Sequence, residues 1–556
     1  MNLDQHRYSD NLNRQQFLQS INKQTFDLII IGGGITGAGI ALDASARGLD
    51  VLLLEQKDFA FGTSSRSTKL IHGGLRYLKQ LEFALVAQVG RERAVVHQLA
   101  PHLVIPEKLL MPLVKGGSYG RFGTSIGLKV YDLIADVKKE DRRVMLSAEE
   151  TKEREPLLDE NDLEGGGYYA EYRTDDARLT IEIIKKAIEF GAVCLNYAEV
   201  TGFEYRDKDI SGVKIKDHIL DASFTFNADY IVNACGPWVD QVRSKVGPLG
   251  EKKLHLTKGV HLVLDYNKLP IQQSLYFDIP DGRMIFAIPR GRITYVGTTD
   301  TNYNGDKGKV RAEHADVAYL IDAINETFPS VNLDISDVES TWAGLRPLIH
   351  QEGKSPSELS RKDEVFESEN GLISIAGGKL TGYRKMAEKI VDLVAKKMKK
   401  ADKKELKACF TQEIKLGQDA FNNFKEVEIY TQTLIEKLSM TKLEKGTADY
   451  LVYNYGKGLE AIIIDIDTSF DEASLILAEL KYCLKNELLY SSSDYFNRRS
   501  GRLYFNIHTV LKHKKLVHDF LSNHYSWNEN QQKQDRDQLE DEITNVLHFK
   551  NSKATV

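Results

Sequence analysis

The chain has 556 residues, of which 42% are hydrophobic and 28% charged, with a formal net charge of −6. This length predicts two or three domains, and the slightly acidic balance gives no reason to expect a nucleic-acid partner. Four scattered cysteines without a CxxC pair predict reduced thiols and no metal site. The polar N-terminal stretch and the lack of an 18-residue apolar run predict neither a signal peptide nor a membrane-spanning helix.

The first predicted element is a βαβ unit from Asp27 to Glu55, DLIIIGGGITGAGIALDASARGLDVLLLE. Its first strand leads into Gly32, Gly34 and Gly37, which would allow a tight turn, a close approach to a pyrophosphate and packing of the next helix. The N-terminus of that helix favours phosphate groups. Glu55 ends the second strand, where a carboxylate can bind a ribose. The unit predicts a dinucleotide site without deciding between NAD and FAD.

A polar loop, KDFAFGTSSRSTKLIHGGLRYL, comes soon after this unit. Its small hydroxyl groups suit contacts with phosphates and a ring system, and cationic and titratable side chains follow them. The residues concerned are Thr63, Ser64, Ser65, Ser67, Thr68, Lys69, His72, Arg76 and Tyr77.

Helical spacing predicts a helix from Leu81 to Leu99. The segment 165–180 alternates aromatic and polar residues and predicts a strand, after which Asp175 and Asp176 are expected to cap a helix from Leu179 to Phe190.

Short apolar runs then predict an antiparallel sheet, separate from the parallel one, with strands at Gly259–Asp265, Met284–Pro289 and Arg292–Gly297. Farther on, an apolar strand runs into Gly377 and Gly378 and then a helix, which repeats the pattern of the opening unit. The nucleotide domain is therefore predicted to be interrupted and to close late, which favours FAD over NAD.

Beyond Lys400 the sequence has no glycine motif and predicts mostly helices, with a polar tail from Asn528 that is expected to be partly mobile. Lysines at 396–404 form a candidate contact with anionic lipid, and the alternative is a solvated helix end. The fold class is α/β plus α: a discontinuous Rossmann-like FAD domain, an antiparallel-sheet substrate domain and a helical C-terminal domain. The predicted ranges are 20–110, 165–255 and 340–400 for the FAD domain, 111–164 and 256–339 for the substrate or cap domain, and 405–556 for the helical domain.

Eight motifs in this order resemble the FAD-dependent glycerol-3-phosphate dehydrogenases of the aerobic bacterial type, and the resemblance spans almost the whole chain. The motifs are IIIGGGITGAGIALDASARG, GTSSRSTKLIHGGLRYL, YRTDDARLTIE, NACGPWVD, TKGVHLV, VGTTDT, WAGLRPL and AGGKLTGYRKMAEKIVD. The stretch SDYFNRRSGRLYF resembles the C-terminal domain of the same family.

This resemblance implies oxidation of sn-glycerol 3-phosphate to dihydroxyacetone phosphate by hydride transfer to non-covalently bound FAD. It also implies electron transfer to membrane quinone by a cytoplasmic protein at the inner face of the membrane, with a homodimer among the expected states. The related glycerophosphate oxidases reduce oxygen to hydrogen peroxide, and those of the streptococcal type carry a long insertion before the SR segment. Here only IHQEGKSPSEL separates Leu348 from Ser360, which favours the dehydrogenase.

The resemblance also assigns residues to the site. Cations are needed for a phosphate dianion and a base for the hydroxyl proton. The predicted substrate contacts are Arg76, Tyr77, Arg346, Arg361, Lys379 and Thr381. The predicted catalytic residues are His72, His261 and Arg346, with either histidine open as the base.

The predicted cofactor contacts lie on or beside the motif segments. They are Gly32, Gly34, Ile35, Thr36, Gly37, Glu55, Gln56, Thr63, Ser64, Ser65, Thr68, Lys69, Leu70, His72, Gly73, Val200, Ala234, Gly236, Trp238, Gly344, Gly378, Lys379, Leu380 and Thr381.

Three other functions remain as alternatives. An amino-acid or amine oxidase of the same fold would bind a carboxylate and would not need several cations for a phosphate. A non-catalytic flavoprotein or assembly module would use the helical tail, and the predicted cation cluster argues against it. A NAD dehydrogenase is the least favoured, because the nucleotide domain is interrupted. The sequence leaves open the electron acceptor and the oligomeric state.

Overall fold

The computed structural model describes residues 13–72, 83–117, 143–250, 252–279, 281–350, 362–401, 404–467 and 469–550. The strands are β1 (Thr25–Ile31), β2 (Val51–Leu54), β3 (Leu70–Ile71), β4 (Ile105–Val114), β5 (Val144–Leu146), β6 (Leu163–Arg173), β7 (Val193–Leu195), β8 (Ala198–Arg206), β9 (Asp209–Asp217), β10 (Ala222–Asn233), β11 (Leu254–Asp265), β12 (Ser274–Asp278), β13 (Met284–Arg290), β14 (Ile293–Gly297), β15 (Thr301–Asn302), β16 (Val338–Ile349), β17 (Asp363–Glu367) and β18 (Ile373–Gly377).

The α-helices of four or more residues in these ranges are α1 (Arg14–Ile21), α2 (Ile35–Ala46), α3 (Phe83–Leu99), α4 (Ala148–Arg154), α5 (Asp176–Glu189), α6 (Val239–Arg243), α7 (His314–Thr327), α8 (Tyr383–Lys400), α9 (Phe424–Leu438), α10 (Thr447–Tyr455), α11 (Leu459–Asp465), α12 (Glu472–Asn486), α13 (Arg502–Phe505), α14 (Ile507–Tyr525) and α15 (Glu529–Leu547). None of the helices described here is long and apolar enough to cross a lipid bilayer.

The first sheet has the strand order β17-β18-β10-β1-β2-β7, with β9 beside β10 and β8 beside β9. Strands β18, β10, β1, β2 and β7 are parallel to one another. The apolar run Leu28–Ile31 is buried in the middle of this sheet, which is why its sequence is continuously hydrophobic rather than alternating. Helix α2 packs against α5 and α8. This is the predicted interrupted nucleotide fold, because β18 joins the sheet long after β1 begins it.

The second sheet has the order β15-β11-β14-β13-β12-β4-β6-β3, with β16 beside β11 and β5 beside β6. The three strands predicted at 259–297 are present and pair antiparallel as β11, β14 and β13. Parts of β4, β6 and β16 lie in ranges predicted for the nucleotide domain, yet these strands belong to the second sheet. An alternating pattern predicts a strand but not its partners, so domain ranges drawn from the sequence do not follow sheet membership.

Helix α5 begins earlier than the sequence predicts. The Asp175 side chain accepts a hydrogen bond from the Arg178 backbone N–H at 3.1 Å, so Asp175 is the predicted cap. Asp176 is not a cap. It is the first helical residue, and its carboxylate accepts a hydrogen bond from the Ser67 backbone N–H at 2.9 Å and pairs with Lys69.

The C-terminal region is helical, as predicted, and the stretch 529–547 of the tail that was expected to be partly mobile is a packed helix. Asn528 caps α15 through a reciprocal capping box with Gln531. Leu539, Ile543 and Val546 on the same helix are buried in a core shared with the second sheet. The polar composition that suggested mobility belongs to the other faces of an amphipathic helix.

The lysines at the end of α8 and just after it make ion pairs within the chain. Lys397 pairs with Glu367 at 2.5 Å, Lys399 with Glu405 at 2.7 Å, and Lys404 with Asp27 at 3.3 Å. Residues 402–403 lie outside the described ranges. The ion pairs fit a solvated helix end, and the contact with anionic lipid stays a prediction.

The helical domain is joined to the nucleotide domain by a buried interdomain ion cluster, formed by Asp58, Arg498 and Arg499. Arg499 donates to both carboxylate oxygens of Asp58, at 2.7 and 2.9 Å, and Arg498 donates to one of them. Burial alone would raise the pKa of Asp58, but the two guanidinium groups hold it at about 2. The Arg498 guanidinium also lies 5.8 Å from the ring of Phe61. The cluster therefore ties the C-terminal helices to the loop directly after Glu55.

His102 is a buried titratable group at the same junction. Its ring lies 5.9 Å from that of Phe421, and both ring nitrogens lack a hydrogen-bond partner among the described residues. Burial lowers the pKa of His102 from 6.5 to about 4, with the Glu182 carboxylate raising it and Lys185 lowering it further. The folded chain therefore keeps this imidazole neutral under conditions where an exposed histidine would be protonated.

This burial predicts a loss of stability in mild acid. Between pH 6.5 and 4 the unfolded chain binds a proton at His102 that the folded chain excludes, so His102 should contribute a fall of about 3 kcal/mol in the free energy of unfolding across this window. Denaturant unfolding of the wild type and of His102→Leu at pH 7.5, 5.5 and 4.5 checks this. We expect the gap between the two proteins to shift in favour of the variant as pH falls. Parallel pH profiles would contradict the prediction.

Candidate active site

The first glycine turn places the N-terminus of α2 at the carboxyl edge of the first sheet. Gly32 has a φ of +112°, which favours glycine, and a Cβ there would lie 2.7 Å from the Ala234 carbonyl oxygen. A Cβ on Gly37 would lie 1.9 Å from the Gly32 carbonyl oxygen. The first helical N–H, that of Ile35, donates to the Ser64 hydroxyl at 2.9 Å. The turn therefore packs as tightly as a dinucleotide-binding turn requires.

Glu55 lies beside this turn at the end of β2. Its two carboxylate oxygens accept hydrogen bonds from the backbone N–H groups of Gly33, at 2.8 Å, and Lys57, at 2.9 Å. Burial raises the pKa of Glu55, and these two N–H donors oppose the rise. A carboxylate has about four acceptor positions, so Glu55 retains capacity to accept hydrogen bonds from a ribose.

The second glycine turn follows β18. Gly377 and Gly378 have φ values of +78° and +77°, and a Cβ on Gly378 would lie 2.4 Å from the Met386 sulfur. Lys379 and Thr381 come next, before α8 begins at Tyr383. Because β18 and β1 are parallel strands of one sheet, the two glycine turns lie at the same edge.

A single cavity of about 620 Å³ joins the two turns and continues to the second sheet. Its lining includes most of the predicted cofactor residues that the structure describes. They are Gly32, Gly34, Ile35, Thr36, Glu55, Gln56, Thr63, Ser64, Thr68, Leu70, His72, Val200, Ala234, Gly236, Trp238, Gly344, Gly378, Lys379, Leu380 and Thr381. The catalytic and substrate candidates Arg346 and His261 line the same cavity.

Three predicted cofactor residues do not line the cavity. Gly37 lies behind the turn, where its missing side chain permits the packing described above. Ser65 is fully buried, and its hydroxyl donates to the Gly62 carbonyl oxygen at 3.4 Å. Lys69 points away from the cavity, into an ion pair with Asp176. The small residues around Lys69 suggested a ligand contact, but its ammonium group fixes the loop instead.

Four further predicted residues, Gly73, Arg76, Tyr77 and Arg361, lie outside the described residues. Their assignment to substrate or cofactor stays a prediction.

The sequence interpretation missed several residues of the cavity wall, including Arg66, Cys235 and Gly259. Gly259 carried a usable signal, because a glycine inside a strand marks a close approach of another group. A Cβ at Gly259 would lie 2.4 Å from the Arg346 Nη2 atom and 2.6 Å from the Thr298 hydroxyl. Arg66 and Cys235 carried no comparable signal, since their exposure to the cavity depends on the path of two separate loops.

Strands β11 and β16 present His261 to the cavity. His261 is paired across the strands with Trp342, and the two rings stack with centroids 4.7 Å apart. The His261 Nε2 and Thr68 Oγ1 atoms lie 3.0 Å apart, while Nδ1 has no hydrogen-bond partner among the residues described. Burial, with Arg346 and Lys69 nearby, holds the pKa of His261 well below its usual range. The imidazole is therefore neutral in the folded chain.

The other histidine candidate, His72, lies at the last described position before residue 73 and lines the same cavity. Its ring meets that of Phe286 edge-on, with centroids 5.8 Å apart. Both histidines thus line one cavity.

The residues present fit a flavin dinucleotide. The cavity is lined by a helix N-terminus behind a glycine turn, a buried carboxylate and a second glycine turn. Two cationic residues, Arg346 and Lys379, line the same cavity. A family model described as "FAD dependent oxidoreductase" matches residues 27–384, more than half of the chain. The protein is therefore an FAD-dependent oxidoreductase. A second model, "C-terminal domain of alpha-glycerophosphate oxidase", matches residues 409–532.

Relatives narrow the family. Aerobic glycerol-3-phosphate dehydrogenase from Bacillus subtilis (strain 168) is 48% identical over 98% of this chain and 98% of its own length. The Staphylococcus aureus (strain USA300) protein of the same name is 47% identical over 97% of this chain and 98% of its own length. The solved structure of glycerol-3-phosphate dehydrogenase from Bacillus halodurans, complexed with FAD, has a TM-score of 0.82 at 40% identity and covers 97% of this chain and 98% of that one. The chain belongs to the aerobic glycerol-3-phosphate dehydrogenase family.

Proposed function

We propose that the protein oxidises sn-glycerol 3-phosphate to dihydroxyacetone phosphate with FAD and passes the electrons to a membrane quinone. The observation that carries this proposal is the single cavity, which joins a dinucleotide-binding turn to Arg346, Lys379 and two histidines in a chain of this family. A phosphate dianion and a secondary alcohol need these groups: cations for one end and a neutral base for the other.

The phosphate end of the substrate is assigned to Arg346 and Lys379, with Thr381 beside them. An arginine can bind two phosphate oxygens at once, which fixes orientation as well as affinity. Arg76, Tyr77 and Arg361 remain further candidates on the strength of the sequence motifs. The cofactor is assigned to the cavity-lining residues given above, with Glu55 at the ribose and the N-terminus of α2 at the pyrophosphate.

FAD supplies the acceptor for the hydride that leaves the carbinol carbon. The chain must hold that carbon in place and remove the hydroxyl proton. His261 is our first candidate base, because the residue lines the cavity and its imidazole is neutral. Its stacking on Trp342 fixes the plane of the ring. His72 is the second candidate.

The electron acceptor, the cellular location and the oligomeric state are further parts of the proposal. We infer a quinone acceptor, a cytoplasmic location with peripheral contact at the inner membrane face, and a homodimeric assembly. The short segment between Leu348 and Ser360 supports the dehydrogenase over the oxygen-using oxidase.

Anaerobic reduction tests the function. Addition of glycerol 3-phosphate to the purified yellow protein should bleach the flavin absorbance, because the substrate delivers two electrons to FAD. The reduced protein should then reoxidise faster with a water-soluble quinone analogue than with air. Rapid peroxide formation in air would favour the oxidase, bleaching by a D-amino acid would favour the amino-acid oxidase, and a flavin that does not respond to glycerol 3-phosphate would contradict the proposal.

A further inference from the structure

The guanidinium group of Arg346 is held by the loop 298–300, which follows β14. Arg346 Nη1 donates to the Thr299 carbonyl oxygen and to Asp300 Oδ1, both at 3.2 Å, and Nη2 donates to the Thr298 hydroxyl at 3.0 Å. The side chains of Arg346 and Asp300 are only 19% and 16% exposed. Because two different nitrogens are bound to one loop, the plane of the guanidinium is fixed as well as its position.

The loop is itself fixed to β11. The Thr299 hydroxyl accepts a hydrogen bond from the Val260 backbone N–H at 3.1 Å, and the Thr299 side chain is buried. Gly259, the neighbour of Val260, leaves the space that the Arg346 guanidinium and the Thr298 hydroxyl occupy. The second sheet and this loop thus fix the position of the Arg346 guanidinium. No residue of the loop 298–300 itself lines the cavity.

We propose that Asp300 is a positioning residue, which orients Arg346 toward the phosphate group of the substrate and so sets the preference for phosphorylated over unphosphorylated polyols. The proposal rests on the proposed function, in which Arg346 binds that phosphate. Asp300 acts through Arg346, so its effect should appear in affinity and selectivity rather than in the chemical step.

The sign of the effect separates positioning from simple charge. A carboxylate near an anion site repels the anion, so removal of a merely charged Asp300 would strengthen phosphate binding. Removal of a positioning Asp300 would weaken it, because the guanidinium would lose its fixed orientation. Asp300→Ala removes both the charge and the hydrogen bond, whereas Asp300→Asn removes the charge and keeps an acceptor oxygen.

The experiment uses the FAD-loaded protein and inorganic phosphate as the probe. Calorimetric titration with phosphate should show affinity falling about tenfold in Asp300→Ala and less in Asp300→Asn. In turnover, Asp300→Ala should raise KM for glycerol 3-phosphate by a similar factor with kcat within about twofold, while activity on glycerol stays unchanged. Equal or tighter phosphate binding by Asp300→Ala would overturn the proposal, as would an equal loss of activity on both substrates.

Gly259→Ala tests the same inference without touching Asp300. Its Cβ would displace the end of the Arg346 side chain, so phosphate affinity should fall while the melting temperature changes little. Gly202→Ala in β8 is the matched control, since its Cβ would meet only the Lys214 side chain at 3.9 Å. Unchanged phosphate affinity in Gly259→Ala would overturn the proposal even if Asp300→Ala did not fold.

The wild type distinguishes this inference from the proposed function. A wild-type protein that neither binds phosphate nor prefers glycerol 3-phosphate to glycerol would contradict both the proposed function and the role of Asp300. A selective wild type with an unaffected Asp300→Ala would remove only the role of Asp300.

Discussion

Replacing Gly37 with alanine should give a protein that is purified without its yellow colour. The new Cβ would lie 1.9 Å from the Gly32 carbonyl oxygen. The Gly32 carbonyl belongs to the backbone of the turn, and the new Cβ would be fixed directly to the backbone of α2, so neither can move cheaply. Either α2 shifts away from the sheet or the turn opens, and both changes disrupt the anchor for the pyrophosphate. We expect FAD affinity to fall on the order of 100-fold or more.

The measurement is the ratio of flavin to protein absorbance after purification, followed by fluorescence titration of FAD into the apoprotein. Gly247→Ala is the control, because a Cβ there meets no atom within 4 Å. It should bind FAD like the wild type. A yellow Gly37→Ala protein with normal FAD affinity would show that the first glycine turn is not the dinucleotide anchor.

Replacing Arg346 with alanine should lower kcat/KM for glycerol 3-phosphate by about 100- to 1000-fold, since two charge-assisted hydrogen bonds to phosphate contribute about 3 to 4 kcal/mol. FAD content should stay close to that of the wild type, because Arg346 lies on β16 of the second sheet, whereas the dinucleotide turn follows β1 of the first. Steady-state kinetics with glycerol 3-phosphate and with glycerol check this, and the loss should be confined to the phosphorylated substrate.

Arg283→Ala is a suitable control for the loss of an arginine from the second sheet region. Its guanidinium pairs with Asp281 and lies over the ring of Tyr319, and it does not line the cavity. This variant should keep its kinetics. An Arg346→Ala protein with normal KM and kcat would place the phosphate elsewhere.

Much of the nucleotide fold could be predicted because its signals are local. The apolar strand, the glycine turn and α2 are adjacent in the sequence between Asp27 and Glu55, and the second glycine turn at Gly377 repeats the same pattern. Sheet membership could not be predicted in the same way. Strand β4 pairs with β6, and β11 with β16, across long stretches of chain whose residues alternate like any half-buried strand.

The site shows the same limit. Composition correctly drew attention to the loop at 63–72, but it did not tell which side chains face the cavity. Lys69 pairs with Asp176, whose buried carboxylate on α5 lies behind the loop. The loop sequence alone does not indicate this partner. Likewise Asp300 was missed, since its importance comes from Arg346, which follows 46 positions later.

The interdomain ion cluster has a consequence for how this protein can be rearranged. Asp58 on the nucleotide side and Arg498 and Arg499 on the helical side are each fully buried. Replacing one partner while the other stays buried would leave an unpaired charge away from water, at a cost of about 3 to 5 kcal/mol for one broken buried pair. The C-terminal domain is therefore not an interchangeable attachment. A chimera that combines the two domains from different relatives must therefore keep the aspartate and both arginines together.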